Sequence, residues 1–260
     1  MDLDLKGRRA IVTGGSKGIG FAIAKTLLAE GVAVSICARD PDEVTSATSL
    51  LAKNGATVLG QAADVTDPAQ VEAFISSSAK ALGGLEILVN NAGRAHPGDF
   101  STLTDRDFQE DLDVKLFSQI RCTRAALPHL RGGRGAVVIN INAIYGRQVD
   151  PAFFATTVDR AACLALSKAL AMELGPENIR VNSVNIGFVR TPQWDAIHQR
   201  RAPELTRDEF FSNTVRGEVP LGRFGEPQEV AGLVAFLASR HASYITGASI
   251  DVGGGMGRYV

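Results

Sequence analysis

Seven short apolar runs recur along this chain, and longer helical patterns fill the spaces between them. The runs lie at 10–13, 33–37, 57–60, 87–89, 136–141, 180–184 and 248–252. Most are unbroken rather than alternating, the pattern of parallel strands covered on both faces. Helical periodicity spans 18–30, 41–53, 68–82, 105–130, 153–174 and 227–239. Pro68, after Thr66 and Asp67, suits the first turn of its helix, where no amide proton is needed. Such alternation predicts an α/β fold, a doubly wound, Rossmann-like parallel sheet with right-handed crossovers. No linker, repeat or low-complexity stretch divides residues 1–260, so one domain is expected. Residues 186–226 interrupt the alternation. They are rich in Arg, Pro and Phe, and read either as a lid over a substrate pocket or as a passive surface flap.

Hydrophobic residues make up 45% of the chain and charged residues 21%, enough for a large core. The net charge of −1 argues against a broad nucleic-acid surface, which needs a basic excess. Cys37, Cys122 and Cys163 read as buried small hydrophobes, and no His/Cys/carboxylate spacing suggests a metal. The first residues lack a signal-peptide pattern, and no run reaches the ~18 apolar residues of a membrane span. A cytoplasmic setting without membrane contact is the expectation.

Gly14, Gly18 and Gly20 follow the first strand and open a helix, with Ser16, Lys17 and Ile19 between them. Glycines there permit a tight turn and close approach to a pyrophosphate, while the helix N-terminus supplies free amides. The alternative is a retained structural turn with no cofactor bound. The second strand ends Cys37-Ala38-Arg39, with no carboxylate before Asp40. Arg39 suits a 2′-phosphate, and Lys17 adds a second positive charge, so NADP is expected in preference to NAD.

Together with 13–20, the pair Asp64-Val65, the run Asn90-Asn91-Ala92-Gly93, and the segments 182–192 and 244–247 make the chain resemble the short-chain dehydrogenase/reductase family. The resemblance implies a seven-stranded parallel sheet and a dimer or tetramer. It places Asp64 and Val65 beside the adenine, Asn91, Ala92 and Gly93 against the cofactor, and Thr191 on the nicotinamide amide. The family performs proton transfer with an Asn, a Ser, a Tyr and a Lys. Aligned on Pro128 and on the segments 138–146 and 161–174, those positions hold Lys115, Ala143, Thr156 and Arg160. Threonine lacks the acidity and reach of a phenol, and alanine has no donor. Arginine is a rigid, permanently charged fork, and Lys115 puts a cation where the family has a neutral amide. Ile186-Gly187 also replaces Pro-Gly, and Val252-Gly253-Gly254 replaces Val-Asp-Gly.

Tyr145, two residues past Ala143, is a candidate substitute acid or a pocket wall. His96 is a weaker candidate at the rim. Lys115 is a nucleophile if desolvated, or an anion-binding group. Arg94, Arg147 and Arg190 follow strands at their carboxyl ends, and with Lys115 and Arg160 they suggest a cationic cleft for an anionic small molecule. The leading expectation is a non-catalytic or catalytically reassigned member that keeps its dinucleotide site. It would serve in a homo- or hetero-oligomer, paired through the helices at 105–130 and 153–174 with an active paralogue. The alternatives are an active NADP-dependent oxidoreductase on a ketone or secondary alcohol using Tyr145, and a non-redox lyase or isomerase using the cationic cleft.

Overall fold

The computed structural model describes residues 2–52, 55–133 and 135–259. Seven strands form one sheet: β1 (Arg9–Thr13), β2 (Ala33–Ala38), β3 (Val58–Ala62), β4 (Ile87–Asn90), β5 (Val137–Ala143), β6 (Arg180–Ile186) and β7 (Ser249–Val252). Their order is β3-β2-β1-β4-β5-β6-β7, and every pair is parallel. The order reverses between β1 and β4, which opens a crevice at their carboxyl ends.

Both faces of the sheet are buried, which accounts for the unbroken apolar runs. Ala10, Val12, Ile36, Val89, Ile139 and Val184 face one core, covered by α1 (Gly18–Ala29) and α9 (Pro227–Ala238). Ile11, Cys37, Leu88, Val138 and Val181 face the other, covered by α3 (Pro68–Leu82), α5 (Ser118–Leu130) and α6 (Phe154–Leu174). On the edge, α2 (Pro41–Leu51) packs on β2 and β3. Its expected extent to 53 ends at Leu51, and residue 53 lies outside the described residues. Pro68 occupies the first turn of α3, with Asp67 capping the amides of Ala69 and Gln70.

The helix expected over 105–130 is present as one unbroken helical run that carries a π-helical turn. A capping box of Thr104 and Asp107 starts α4 (Asp105–Leu112), and a π-helical turn at Asp113–Phe117 precedes α5. The extra residue in that turn rotates Lys115 inward, and such turns concentrate at functional sites. The weakly periodic segment 186–226 also holds two helices, α7 (Pro192–Arg201) and α8 (Arg207–Val215). They rest on a third apolar cluster that includes Ile197, Phe210, Phe211 and Phe224.

A ladder of buried amides stiffens the carboxyl ends of the central strands. Asn90 Nδ2 donates to Asn140 Oδ1 at 2.8 Å, and Asn140 Nδ2 donates to Ser167 Oγ at 2.9 Å. Asn142 Nδ2 donates to Ser183 Oγ at 2.8 Å, and its Oδ1 accepts from Gln119 and Arg160. The ladder ties α5 and α6 to β4, β5 and β6, and so fixes the helices that carry the site. Among the described residues no helix is long and apolar enough to cross a membrane.

Candidate active site

A cleft of about 690 Å³ lies over the carboxyl ends of the strands. Its first half is the glycine turn. Gly14 and Gly18 have φ of +64° and +57°, left-handed values that disfavour a side chain. A Cβ on Gly20 would lie 2.1 Å from the carbonyl oxygen of Gly14. Asn91 Nδ2 donates to the carbonyls of Thr13 and Gly14 at 2.9 and 3.0 Å, binding the turn to the end of β4. No side chain caps the first amides of α1, so they remain available to an anion. Ser16, Lys17, Ile19, Arg39, Asp64, Val65, Ala92, Gly93 and Thr191 line the same cleft.

Two details were not apparent in the sequence. Lys17 Nζ donates to Glu43 Oε1 at 2.6 Å, and Ser16 Oγ donates to Glu43 Oε2 at 3.2 Å. A carboxylate on α2 therefore shares the place where two cations were expected to act unopposed. Asp64 Oδ1 turns back to accept from the amide and hydroxyl of Thr66, at 2.9 and 2.8 Å.

The other half holds Lys115, Ala143, Thr156 and Arg160, and all four line the cleft. Lys115, in the π-helical turn, is completely buried. Its Nζ donates to Thr156 Oγ1 at 2.7 Å and forms an ion pair with the Asp111 carboxylate. Burial, and then the charge of Arg160, hold the Lys115 ammonium below the ordinary lysine range, although Asp111 and Asp159 oppose them. Thr156 donates only weakly, over 3.5 Å, to the carbonyl of His96. Arg160 Nη1 reaches Ile141 O and Asn142 Oδ1, each at 3.1 Å. Asp159 is buried beside Asp111, and both of its oxygens lack a donor. Burial, and then the neighbouring Asp111, push the Asp159 carboxyl above the usual carboxylate range. Asp111 sits four residues before Lys115, a spacing that brings side chains together on a helix and was readable. The approach of Asp159 from α6 was not.

Tyr145 lines the cleft, but its ring stacks on Phe153 at 4.9 Å, 18° from parallel. Burial, with the carboxylates of Asp150 and Glu218 nearby, raises its pKa, so the phenol holds its proton more tightly. That weakens its case as a substitute acid. The expected convergence of five cations is also corrected. Arg147 pairs with Asp251 at 3.7 Å and stacks on Tyr259, and Arg190 pairs with Glu226 at 3.1 Å. Arg94 pairs with Glu110 at 3.4 Å, and Lys115 is neutralised by Asp111. Carboxylates thus oppose four of the five charges, and three of the five, Arg94, Lys115 and Arg160, line the cleft. Among the described residues no group of His, Cys, Asp and Glu is arranged to hold a metal.

Fold and cleft together define a Rossmann-like protein of the oxidoreductase class. The sequence pattern of the family described as enoyl-(acyl carrier protein) reductase matches residues 14–257. The chain belongs to the short-chain dehydrogenase/reductase family. It is 34% identical to 3alpha-hydroxysteroid dehydrogenase of Mediterraneibacter gnavus, with 98% of each chain covered. Its structure resembles that of a short chain oxidoreductase from Pseudomonas aeruginosa PAO1 containing an atypical catalytic center. The identity is 39%, the coverage 99% of this chain and 100% of that one, and the TM-score 0.94. An NADPH-bound structure of that protein matches with a TM-score of 0.92. L-Sorbose reductase from Gluconobacter frateurii, complexed with NADPH and L-sorbose, is 32% identical over the whole of both chains, with a TM-score of 0.96.

Proposed function

We propose that the chain is a nicotinamide-dinucleotide-dependent oxidoreductase of a ketone–alcohol pair, in which proton transfer is reassigned to Lys115 acting through Thr156. The observation that carries this reading is the 2.7 Å contact between Lys115 Nζ and Thr156 Oγ1 at the wall of the cleft. The NADPH-bound relatives and the glycine turn support the cofactor. Its pyrophosphate would rest on the uncapped amides of α1, its 2′-phosphate by Arg39 and Lys17, and its nicotinamide between Asn91–Ala92–Gly93 and Thr191. Bound there, the dinucleotide supplies or accepts the hydride.

In the reducing direction Thr156 passes its hydroxyl proton to the substrate oxygen and takes one from the Lys115 ammonium. One N–H bond breaks, one O–H bond forms on the alcohol, and Thr156 ends unchanged. Thr156 suits this step because its own proton is held only by the long contact to His96. The lowered pKa makes Lys115 a stronger acid than a free lysine. Ala143 contributes no donor, so the side-chain donors these positions offer a developing oxyanion come from Thr156, Lys115 and Arg160.

The test is a nicotinamide absorbance assay over ketones and secondary alcohols, with Thr156→Val beside the parent. Turnover in the parent, lost in Thr156→Val with NADPH binding intact, supports the reading. A non-catalytic subunit is the second reading, favoured by Ala143 and by the proton-retaining Tyr145. NADPH binding without turnover on any substrate would select it. In either case α5 and α6 would make the contact with a second subunit, since Phe117 and Val158 on this side are exposed.

Two results follow. Reduction needs the Lys115 ammonium and oxidation needs the amine. Reduction should therefore fall, and oxidation rise, through a pKa below the ordinary ~10.4 of lysine. Profiles of kcat/KM in both directions check this, and flat profiles would count against Lys115. Separately, Glu43 stands against a 2′-phosphate beside Lys17. Glu43→Gln should tighten NADPH by up to about fivefold, since exposed charge interactions are worth roughly 0.2–1 kcal/mol. NADH affinity should not follow. Binding titrations with both nucleotides check it.

A further inference from the structure

The reassigned donor raises a question of supply. The Lys115 side chain is completely buried, and among the described residues its Nζ hydrogen-bonds only Thr156 and Asp111, which is also buried. Bulk water cannot recharge it directly. The groups that face Lys115 are Asp111 from α4, Asp159, Arg160 and Cys163 from α6, and His96, by way of Asp111 and Thr156, from the loop after β4.

The geometry points to a proton path in which the Asp111–Asp159 carboxyl pair and His96 connect Lys115 to solvent at Asp107. Three oxygens, both of Asp159 and Oδ1 of Asp111, are buried without a donor among the described residues. Two carboxyl groups within hydrogen-bonding reach of each other cannot both ionise cheaply when buried, and one proton held between them satisfies both. His96 continues the line. Its Nδ1, also buried and without a hydrogen-bond partner, lies 3.7 Å from Asp111 Oδ1. Its Nε2 lies 3.4 Å from Asp107 Oδ1, on a side chain 35% exposed. An imidazole can accept a proton at one ring nitrogen and release another from the second.

This path rests on the proposed role of Lys115 and adds how that residue is reset. After each reduction the neutral Lys115 amine takes the proton of the carboxyl pair. As solvent beside Asp107 protonates His96 at Nε2 the pair takes the Nδ1 proton, and a flip of the imidazole then turns the protonated nitrogen back toward Asp111 for the next turnover. Oxidation runs the same transfers in reverse. No electrons move, and one proton enters for each one delivered to substrate. Asp111, Asp159 and His96 are positioning residues that act through Lys115.

The experiment is steady-state reduction by the full chain with a carbonyl compound that the parent turns over. His96→Ala and Asp159→Asn are compared at low buffer and with added imidazole at constant pH, with Lys115→Met and Lys115→Arg run alongside. His96→Ala should lose about tenfold or more in kcat with little change in KM, and imidazole should restore it. Asp159→Asn keeps the shape of the side chain but carries no exchangeable carboxyl proton. It should lose kcat without rescue while its melting temperature stays near that of the parent. Full kcat in both variants, independent of buffer, overturns the path. If Lys115→Met and Lys115→Arg both fold and bind NADPH yet are inactive in that experiment, the donor assignment stands and only the path fails. If Lys115→Met keeps parental turnover, the donor assignment fails and the path with it.

Discussion

Lys115→Met is expected to lower kcat/KM for carbonyl reduction by ~10²–10⁴-fold, the range for loss of a positioned acid. NADPH binding should persist, because the glycine turn, Arg39 and Thr191 lie in other parts of the cleft. Methionine also leaves Asp111 without its cation, so a fall in activity could come from a weakened fold. Lys115→Arg separates the two effects. Arginine keeps the positive charge for Asp111 but does not give up a proton at working pH. It should melt closer to the parent than the methionine variant, bind NADPH, and still fail to turn over. Stopped-flow or steady-state absorbance of the reduced nicotinamide, with melting curves and nucleotide titration on the same samples, makes the measurement. Arginine activity equal to the parent would show that only a charge is needed at this place, and the donor role would fall.

The sheet was legible because both of its faces are covered. Val12 and Ile11 are adjacent in sequence and enter different cores, so the run between Ala10 and Thr13 cannot alternate in polarity. The glycine turn was legible because backbone sterics leave few residue types at Gly14, Gly18 and Gly20. The π-helical turn at Lys115 was not. One inserted residue in a helix changes which side chain points inward without leaving a break in composition. The helices α7 and α8 were faint because each buries only a few residues, Ile197 and His198 on one and Phe210, Phe211 and Val215 on the other. The environment of Lys115, Ala143, Thr156 and Arg160 could not be read from the sequence. Sequence places Arg147 and Arg190 near the mouth of the cleft, yet Asp251 and Glu226 reach them from far along the chain. The same holds for Asp159, whose contact with Asp111 joins α6 to α4.

That buried cluster also governs what happens when the family's own residues are put back. Lys115→Asn, Ala143→Ser, Thr156→Tyr and Arg160→Lys together install the usual quartet, but they remove the cation that Asp111 contacts. Breaking a buried ion pair by removing one partner costs ~3–5 kcal/mol. The quadruple variant should therefore be destabilised by about that amount near neutral pH and show little activity, even with a phenol and an amine in place. The pH dependence identifies the cause. Asp159 already has a raised pKa in the parent. Without Lys115, whose charge opposes that rise, the Asp159 carboxyl is held higher still, while an aspartate in the unfolded chain titrates near ~3.9. A carboxyl whose pKa is higher in the folded state lends stability below its unfolded value and loses it as pH rises through the folded one. The variant should thus melt highest in mild acid and weaken toward neutral pH. Adding Asp111→Asn and Asp159→Asn should flatten that slope and raise the melting temperature near pH 7, because amides need no counter-ion. If the quadruple variant is as stable as the parent at neutral pH, the two aspartates carry no charge there, and Lys115 faces a neutral pair rather than a carboxylate.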